Sequence, residues 1–144
     1  MKTLLNLLII AALTTSSAFA DLKVKAGPRR GLLMDLGTSQ AEFFVEKDRS
    51  ISVALYDAAL KPQPVTGEVI TATAEAPGGK TKIEFEKKGD LLVSKTPLPE
   101  GAGYQVVVQA KASPEAKPKN FRIKLQLHTC EKCGNPEYAC TCDE

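Results

Sequence analysis

Residues 121–128 read FRIKLQLH, an unbroken alternation of apolar and polar side chains. Phe121, Ile123, Leu125 and Leu127 fall on one side of this pattern, and the polar residues between them fall on the other. A period of two is typical of a β-strand with one buried face, whereas an amphipathic helix repeats every 3.6 residues. The stretch therefore predicts a β-strand that lies over a hydrophobic core.

Similar short segments recur along the chain, separated by residues that favour turns, such as Pro77-Gly78-Gly79 and Lys88-Gly89-Asp90. Residues 58–67 contain two prolines and a glycine and are predicted to form a loop. A short first strand is predicted at 30–36, and seven further strands at 41–46, 50–57, 68–75, 81–87, 91–95, 104–110 and 121–128. About seven short strands at this spacing predict an all-β fold, an immunoglobulin-like sandwich. The chain has no Trp and no Cys before residue 130, so the disulfide-and-tryptophan core of antibody domains is missing.

Residues 1–20 have the pattern of a secretory signal peptide. Lys2 precedes an apolar run over 4–13, and Ala18-Phe19-Ala20 supplies small residues for cleavage. Cleavage after Ala20 leaves a β-sandwich domain at 21–127 and a Cys-rich tail at 128–144, with no membrane span after cleavage. An uncleaved N-terminal anchor is the alternative. We expect a periplasmic or secreted protein.

The charge distribution and the motifs exclude several functions. The formal net charge is +2, and loss of Lys2 with the leader lowers it by one to +1, which argues against binding nucleic acid. The one basic cluster, Arg29-Arg30, is predicted to be a solvated turn. Carboxylates are expected on solvent faces, and Tyr56, Tyr104 and Tyr138 are expected to be packing residues rather than stacking platforms. The nucleotide-binding, zinc-protease and serine-hydrolase motifs are missing, so no enzyme is predicted.

All four cysteines lie near the end of the chain, in the spacing C-x2-C-x6-C-x-C: Cys130, Cys133, Cys140 and Cys142. Four thiolates this close together are able to meet at one tetrahedral centre, with Zn–S bonds of about 2.3 Å. Soft ions such as Cu(I) or Cd(II) accept the same donors. The predicted cofactor is therefore zinc or another thiophilic metal ion, held by these four residues.

The residues around the cysteines are also typical of a metal site. Cys130 to Gly134 has the form of a metal knuckle, with Gly134 free to adopt a positive φ as the chain leaves the turn. Asn135-Pro136-Glu137 resembles a helix start, with Asn135 as the N-cap residue. His128 is the only His in the chain, and in a continuing strand it projects to the same face as Cys130. We therefore include His128 as an additional ligand or a donor to a thiolate; an ordinary exposed His is the alternative.

Two other states of the cysteines remain open. An oxidising compartment favours two disulfides within the tail, each joining the knuckle to the later pair, because a bridge between Cys140 and Cys142 closes a small, strained ring. Thiol redox chemistry is the third alternative, although the βαβ context usual for it is missing. A centre of four thiolates and one divalent ion carries a net charge of −2, and the acidic residues of the tail add to it. This surplus favours an exchangeable site over a purely structural one.

Three segments carry a resemblance to a known group of proteins: GPRRGLL at 27–33, AEFFV at 41–45, and VALYD at 53–57 followed by Lys61-Pro62. They resemble a small bacterial periplasmic β domain that occurs alone and near the N-terminus of periplasmic adaptor (membrane-fusion) proteins of heavy-metal efflux systems. The adaptor versions often read Gly-Pro-x-Gly-Gly or His-Gly-Gly at the start, where this chain has Arg29-Arg30-Gly31 and no His. The resemblance implies an envelope protein of a metal-handling system, with an efflux component as its partner.

Together these features predict a periplasmic metal-binding protein that buffers zinc or a soft heavy metal, or delivers it to an efflux component. The alternative is a non-catalytic structural or interaction module, whose tail is locked by disulfides or by a permanent zinc ion.

Overall fold

A computed structural model describes residues 23–142 of the chain. The predicted signal peptide at 1–20 and the acidic residues 143 and 144 lie outside this part. Over the described residues the fold is all-β, as the sequence predicts, with no α-helix and with antiparallel pairing throughout. Nine strands are present, one more than the eight segments predicted. They are β1 Leu32–Asp35, β2 Gln40–Val45, β3 Ile51–Tyr56, β4 Pro62–Gln63, β5 Val69–Ala76, β6 Gly79–Lys88, β7 Leu91–Ser94, β8 Gln105–Lys111 and β9 Lys119–Lys124.

The strands form two layers that share one long strand. Their order is β1-β2-β3-β7-β6-β5-β8-β9, and the short β4 pairs with β3. The first part of β6 pairs with β5, from Gly79 to Glu84, and its last four residues, Phe85 to Lys88, pair with β7. The chain thus passes from one layer to the other within β6. The result is a flattened, nearly closed antiparallel barrel, the sandwich that the sequence predicts.

One hydrophobic core fills the space between the layers. Phe43 and Val53 of the first layer belong to the same buried cluster as Val106 and Ile123 of the second. Alternating residues of β8 and β9 are buried, as a half-exposed strand requires. All six residues of β3 are buried, because this strand is covered on both faces. The face that includes Ser52 and Tyr56 is covered by the segment that leads into β1, where the Arg29 guanidinium donates to Ser52.

Two strands differ from the sequence prediction. β4 lies in the predicted loop at 58–67, where Pro62 pairs with the end of β3 without needing an amide donor. In the predicted strand at 121–128, regular ladder pairing with the neighbouring strand ends at Lys124. Beyond it, the backbone oxygens of Gln126 and His128 accept hydrogen bonds from the amides of Tyr138 and Glu137 instead. The end of this segment therefore pairs with the Cys-rich tail.

The carboxylate of Glu42 contradicts the expectation that acidic side chains lie on solvent faces. Glu42 is fully buried, and its oxygens accept hydrogen bonds from the amides of Arg29 and Gly31 and from the hydroxyl of Tyr56. A Cβ atom on Gly27 would lie 2.3 Å from Cδ of Glu42, so the loop over this carboxylate needs glycine there. Buried charge is tolerated when several donors satisfy it, and here three donors do so.

The basic cluster at the start of the chain is only partly a solvated turn. Arg30 is exposed and has φ 68°, as a turn residue. Arg29 is half-buried: its guanidinium donates to Ser52 and Glu46 and stacks over the ring of Phe44. Arg29 therefore fixes the lead-in segment to β2 and β3, which is a structural role that its sequence context did not reveal.

The described part of the chain contains no helix long and apolar enough to cross a membrane.

Candidate metal centre

The Cys-rich tail is built as a tight hairpin followed by one turn of 3₁₀ helix. Cys130 and Asn135 close the hairpin through a bond from the Cys130 amide to the Asn135 carbonyl, and the amide of Gly134 donates to the Cys130 carbonyl. Gly134 has φ 71°, the left-handed conformation that favours glycine and that the sequence predicts. The 3₁₀ turn, Glu137–Ala139, then reverses the chain and returns Cys140 to the hairpin.

This turn differs in one respect from the prediction. The N-cap position is Pro136, and no side chain caps the turn. Asn135 is instead buried, and its side-chain amide donates to the carbonyl of Ala139 over 3.4 Å. A single 3₁₀ turn leaves few amides that need a cap, so Asn135 holds the far end of the turn rather than its start.

The spacing of the four sulfurs matches a tetrahedral metal site. The Sγ atoms of Cys130 and Cys142 are 3.9 Å apart, and those of Cys133 and Cys140 are 3.7 Å apart. All four ligand atoms lie within 4.8 Å of one another. A regular tetrahedron with metal–sulfur bonds of about 2.3 Å has sulfur–sulfur edges of about 3.8 Å. A disulfide requires about 2.05 Å, so these sulfurs stand at the separations of ligands and not of bridged pairs.

Backbone amides and neighbouring thiols change the acidity of the cluster. The amides of Asn135 and Thr141 donate to the Cys133 sulfur and, with thiol donors from Cys140 and Cys130, lower the pKa of Cys133 to about 6. At Cys140 the amide of Cys142 lowers the pKa, but bonds to the other thiols and partial desolvation outweigh it and raise the pKa to about 12.

Desolvation, followed by the bond to Cys133, also raises the pKa of Cys142. In the metal-free cluster the lowered pKa of Cys133 favours its thiolate, whereas the raised pKa values of Cys140 and Cys142 favour their neutral thiols. A divalent cation supplies the compensating charge that additional thiolates need.

His128 lies beside the cluster, outside the group of mutually close ligand atoms. That group consists of the four cysteines among the described residues. The exposed imidazole of His128 has its Nε2 atom 3.8 Å from Oε2 of Glu137. Both side chains line an open cleft, together with Cys130, Cys140 and Cys142. The structure therefore places His128 at the rim of the site, in the same open cleft as three of the cysteines.

The site faces solvent on one side and the domain core on the other. Each of the four cysteines is partly exposed, whereas Tyr138 and Ala139, between them in sequence, are buried in the main core. The ring of Tyr138 packs edge-on against Phe43 at 5.8 Å, and its hydroxyl accepts a hydrogen bond from the amide of Val45. Burial raises the pKa of this hydroxyl. The tail is therefore attached to the body through Tyr138. The sequence predicts that this residue packs, but it does not predict Phe43 and Val45 as its partners.

A cation that sequence reasoning missed lies against the hairpin. A Cβ atom built on Gly134 would be 3.6 Å from Nη1 of Arg30. This places the guanidinium beside the hairpin, close to a centre that four thiolates and a divalent ion would give a charge of −2. The only sequence signal was the neighbouring pair Arg29-Arg30, and nothing in its spacing links it to a segment a hundred residues later.

No protein-family model, curated protein or solved structure shows significant similarity to this chain. The functional conclusions below therefore rest on its own residues.

Proposed function

We propose that this chain is an exported, non-enzymatic metal-binding protein that holds one zinc or soft heavy-metal ion on Cys130, Cys133, Cys140 and Cys142. The observation that carries the proposal is that the four sulfurs lie within 4.8 Å of one another, and that two of their separations, 3.7 and 3.9 Å, are close to the edge of about 3.8 Å of a tetrahedral site. The secretory pattern of residues 1–20 supports a periplasmic or secreted location.

The open cleft supports buffering or delivery of the ion over permanent storage. Three of the four cysteines line this cleft, so a competing ligand reaches the metal without unfolding the body. Access of this kind allows exchange by stepwise replacement of thiolates. An envelope efflux component is the receiving partner that we propose, and the comparisons with known proteins add no support for it.

A structural role is the second candidate, favoured by the burial of Tyr138 and Ala139. A permanent zinc ion would then fix the tail so that its aromatic side chain completes the core. The two roles differ in how the body responds to removal of the metal.

Native mass spectrometry of the protein purified from the periplasm tests metal binding. We expect the mass of the mature chain plus one ion, and loss of tight binding in Cys133→Ser and Cys140→Ser. His128→Ala is the matched control, because it changes the rim and leaves the four sulfurs intact. A metal-free protein whose mass is lower by four hydrogens would show two disulfides and contradict the proposal.

Chelator treatment then separates delivery from structure. Rapid transfer of the ion to a chromogenic chelator, with the β body still folded by circular dichroism, supports delivery. Transfer only at the rate of global unfolding supports the structural role.

A further inference from the structure

The barrel is open between its first and last strands, and a groove of about 480 Å³ occupies the opening. β1 and β9 are the two ends of the strand order over the described residues. Leu32 and Leu33 lie on one side of the groove, and residues 121–124 lie on the other. We propose that this groove docks an extended, acidic segment of a partner protein as an added strand along β9.

Over the described residues the outer backbone edge of β9 is only partly used, since the Lys124 carbonyl accepts a hydrogen bond from the Gln126 amide. The amide of Leu125 donates to the carbonyl of Tyr104, on the β8 side of the strand. Peptide groups along a strand alternate in direction, so those of Arg122 and Lys124 point away from β8, toward the groove. Exposed edges of this kind accept an additional strand from a binding partner.

The charge of the groove selects an acidic occupant. Lys23, Arg122 and Lys124 line it; Lys124 is exposed, and the exposed guanidinium of Arg122 also donates to Gln105 of β8. Glu137 is the one carboxylate among its lining residues, and it lies near His128. A partner strand with acidic residues at alternate positions therefore meets an excess of positive charge along the edge.

Apolar side chains give the groove a hydrophobic component. Val24, Leu32 and Phe121 are among its lining residues, and Val24 is 44% exposed. A strand that alternates acidic and apolar residues presents its apolar side to these groups and its acidic side to the basic ones. We therefore expect the docking segment of the partner to alternate acidic and apolar residues.

The groove leads directly to the metal centre. His128 and Glu137 line both the groove and the cleft over the cysteines. A segment docked along β9 therefore ends beside the exposed sulfurs. The docking surface itself does not require a metal, but its role as the place of metal transfer rests on the proposed function.

Nuclear magnetic resonance titration with a synthetic peptide tests the docking surface. The probe is a capped peptide of alternating glutamate and valine, as long as the six residues of β9, and the control peptide has lysine in place of glutamate. We expect amide shifts confined to β9, β1 and the lead-in segment with the acidic peptide alone. Two further peptides are N-methylated at alternate residues, one at the odd positions and one at the even positions. Their affinities should differ, because only one of them lacks the amides that face the β9 edge.

Charge reversal provides the matched variants. Arg122→Glu with Lys124→Glu should weaken binding of the acidic peptide about tenfold. Lys61→Glu with Lys82→Glu makes the same change of charge at exposed positions outside the groove and should leave binding unchanged. The proposal is overturned if both double variants bind alike, if both peptides bind alike, or if the free protein self-associates through β9 or fills the groove with its own residues 21 and 22.

Metal loading is measured on the same samples by native mass spectrometry. If Arg122→Glu with Lys124→Glu loses the peptide and keeps the ion, docking and metal binding are separate properties of the chain. Failure of the metal proposal would leave the peptide titration unchanged, so the two hypotheses fail independently.

Discussion

Replacement of Tyr138 by alanine should separate the metal centre from the body of the protein. Its side chain is only 6% exposed, packs edge-on against Phe43 and accepts a hydrogen bond from Val45. Truncation of a buried aromatic side chain costs about 3–5 kcal/mol, so Tyr138→Ala should destabilise the metal-bound protein by about that amount. Tyr138→Phe keeps the packing and leaves the Val45 amide unpaired, at a cost of about 1–3 kcal/mol.

The coupling is measured by guanidinium unfolding with zinc and with a chelator. If the ion binds only when the tail is seated, free zinc at 100 times its dissociation constant stabilises the body by about 2.7 kcal/mol. Tyr138→Ala should lose most of this zinc-dependent gain. Tyr104→Phe, which removes a hydroxyl bonded to Pro99 and Arg49 and to no residue of the tail, should keep it. Full zinc stabilisation in Tyr138→Ala would refute the view that the ring transmits metal binding to the barrel.

Three further outcomes follow from the acidity and packing of named groups. Zinc affinity should fall as the pH is lowered, and the fall should become steeper below about pH 6. The Cys133 thiol, whose pKa is about 6, then also holds a proton that zinc must displace. Calorimetry in buffers of different ionisation enthalpy measures the number of protons released. Burial and the bond to Glu42 raise the pKa of Tyr56 to about 12, so its contribution to stability is complete below pH 10 and is lost as pH rises through 12; Tyr56→Phe should remove this part of the alkaline dependence of the unfolding free energy. Gly31→Ala should lower the melting temperature by several degrees, because a Cβ atom there meets a backbone oxygen at 2.3 Å, whereas Gly78→Ala, with nothing within 4 Å, should change it little.

The periodic features of the sequence predict most of the fold. Alternation at 50–57 and the Val-rich run at 104–110 predict strands within one or two residues of the observed bounds, because a period of two and β-branched residues both favour extended backbone. β4 was missed because a two-residue strand has no period, and Pro62 argued against it. The end of the stretch at 121–128 was misjudged because its last residues pair with a segment that the pattern does not mark.

At the site, too, features that depend on neighbouring residues are predictable from the sequence, and features that depend on distant residues are not. The spacing of the cysteines predicts that their sulfurs meet, because all four lie within thirteen residues. The burial of Glu42 depends on a loop that wraps over it from Arg29 and Gly31, and alternation in β2 gives no sign of it. The partnership of Tyr138 with Val45 joins residues 93 positions apart. Contacts of that kind arise from the assembled fold and leave no trace in local spacing.

The shared strand β6 has a consequence for protein engineering. A cut in the exposed turn at Pro77-Gly78 would divide the chain into two pieces, each of which contributes strands to both layers. Neither piece encloses a hydrophobic core alone, and only the second carries the thiols. Reassociation of the halves would restore the seat for Tyr138, which makes the split chain a scaffold for a two-part sensor whose reconstitution reports free metal.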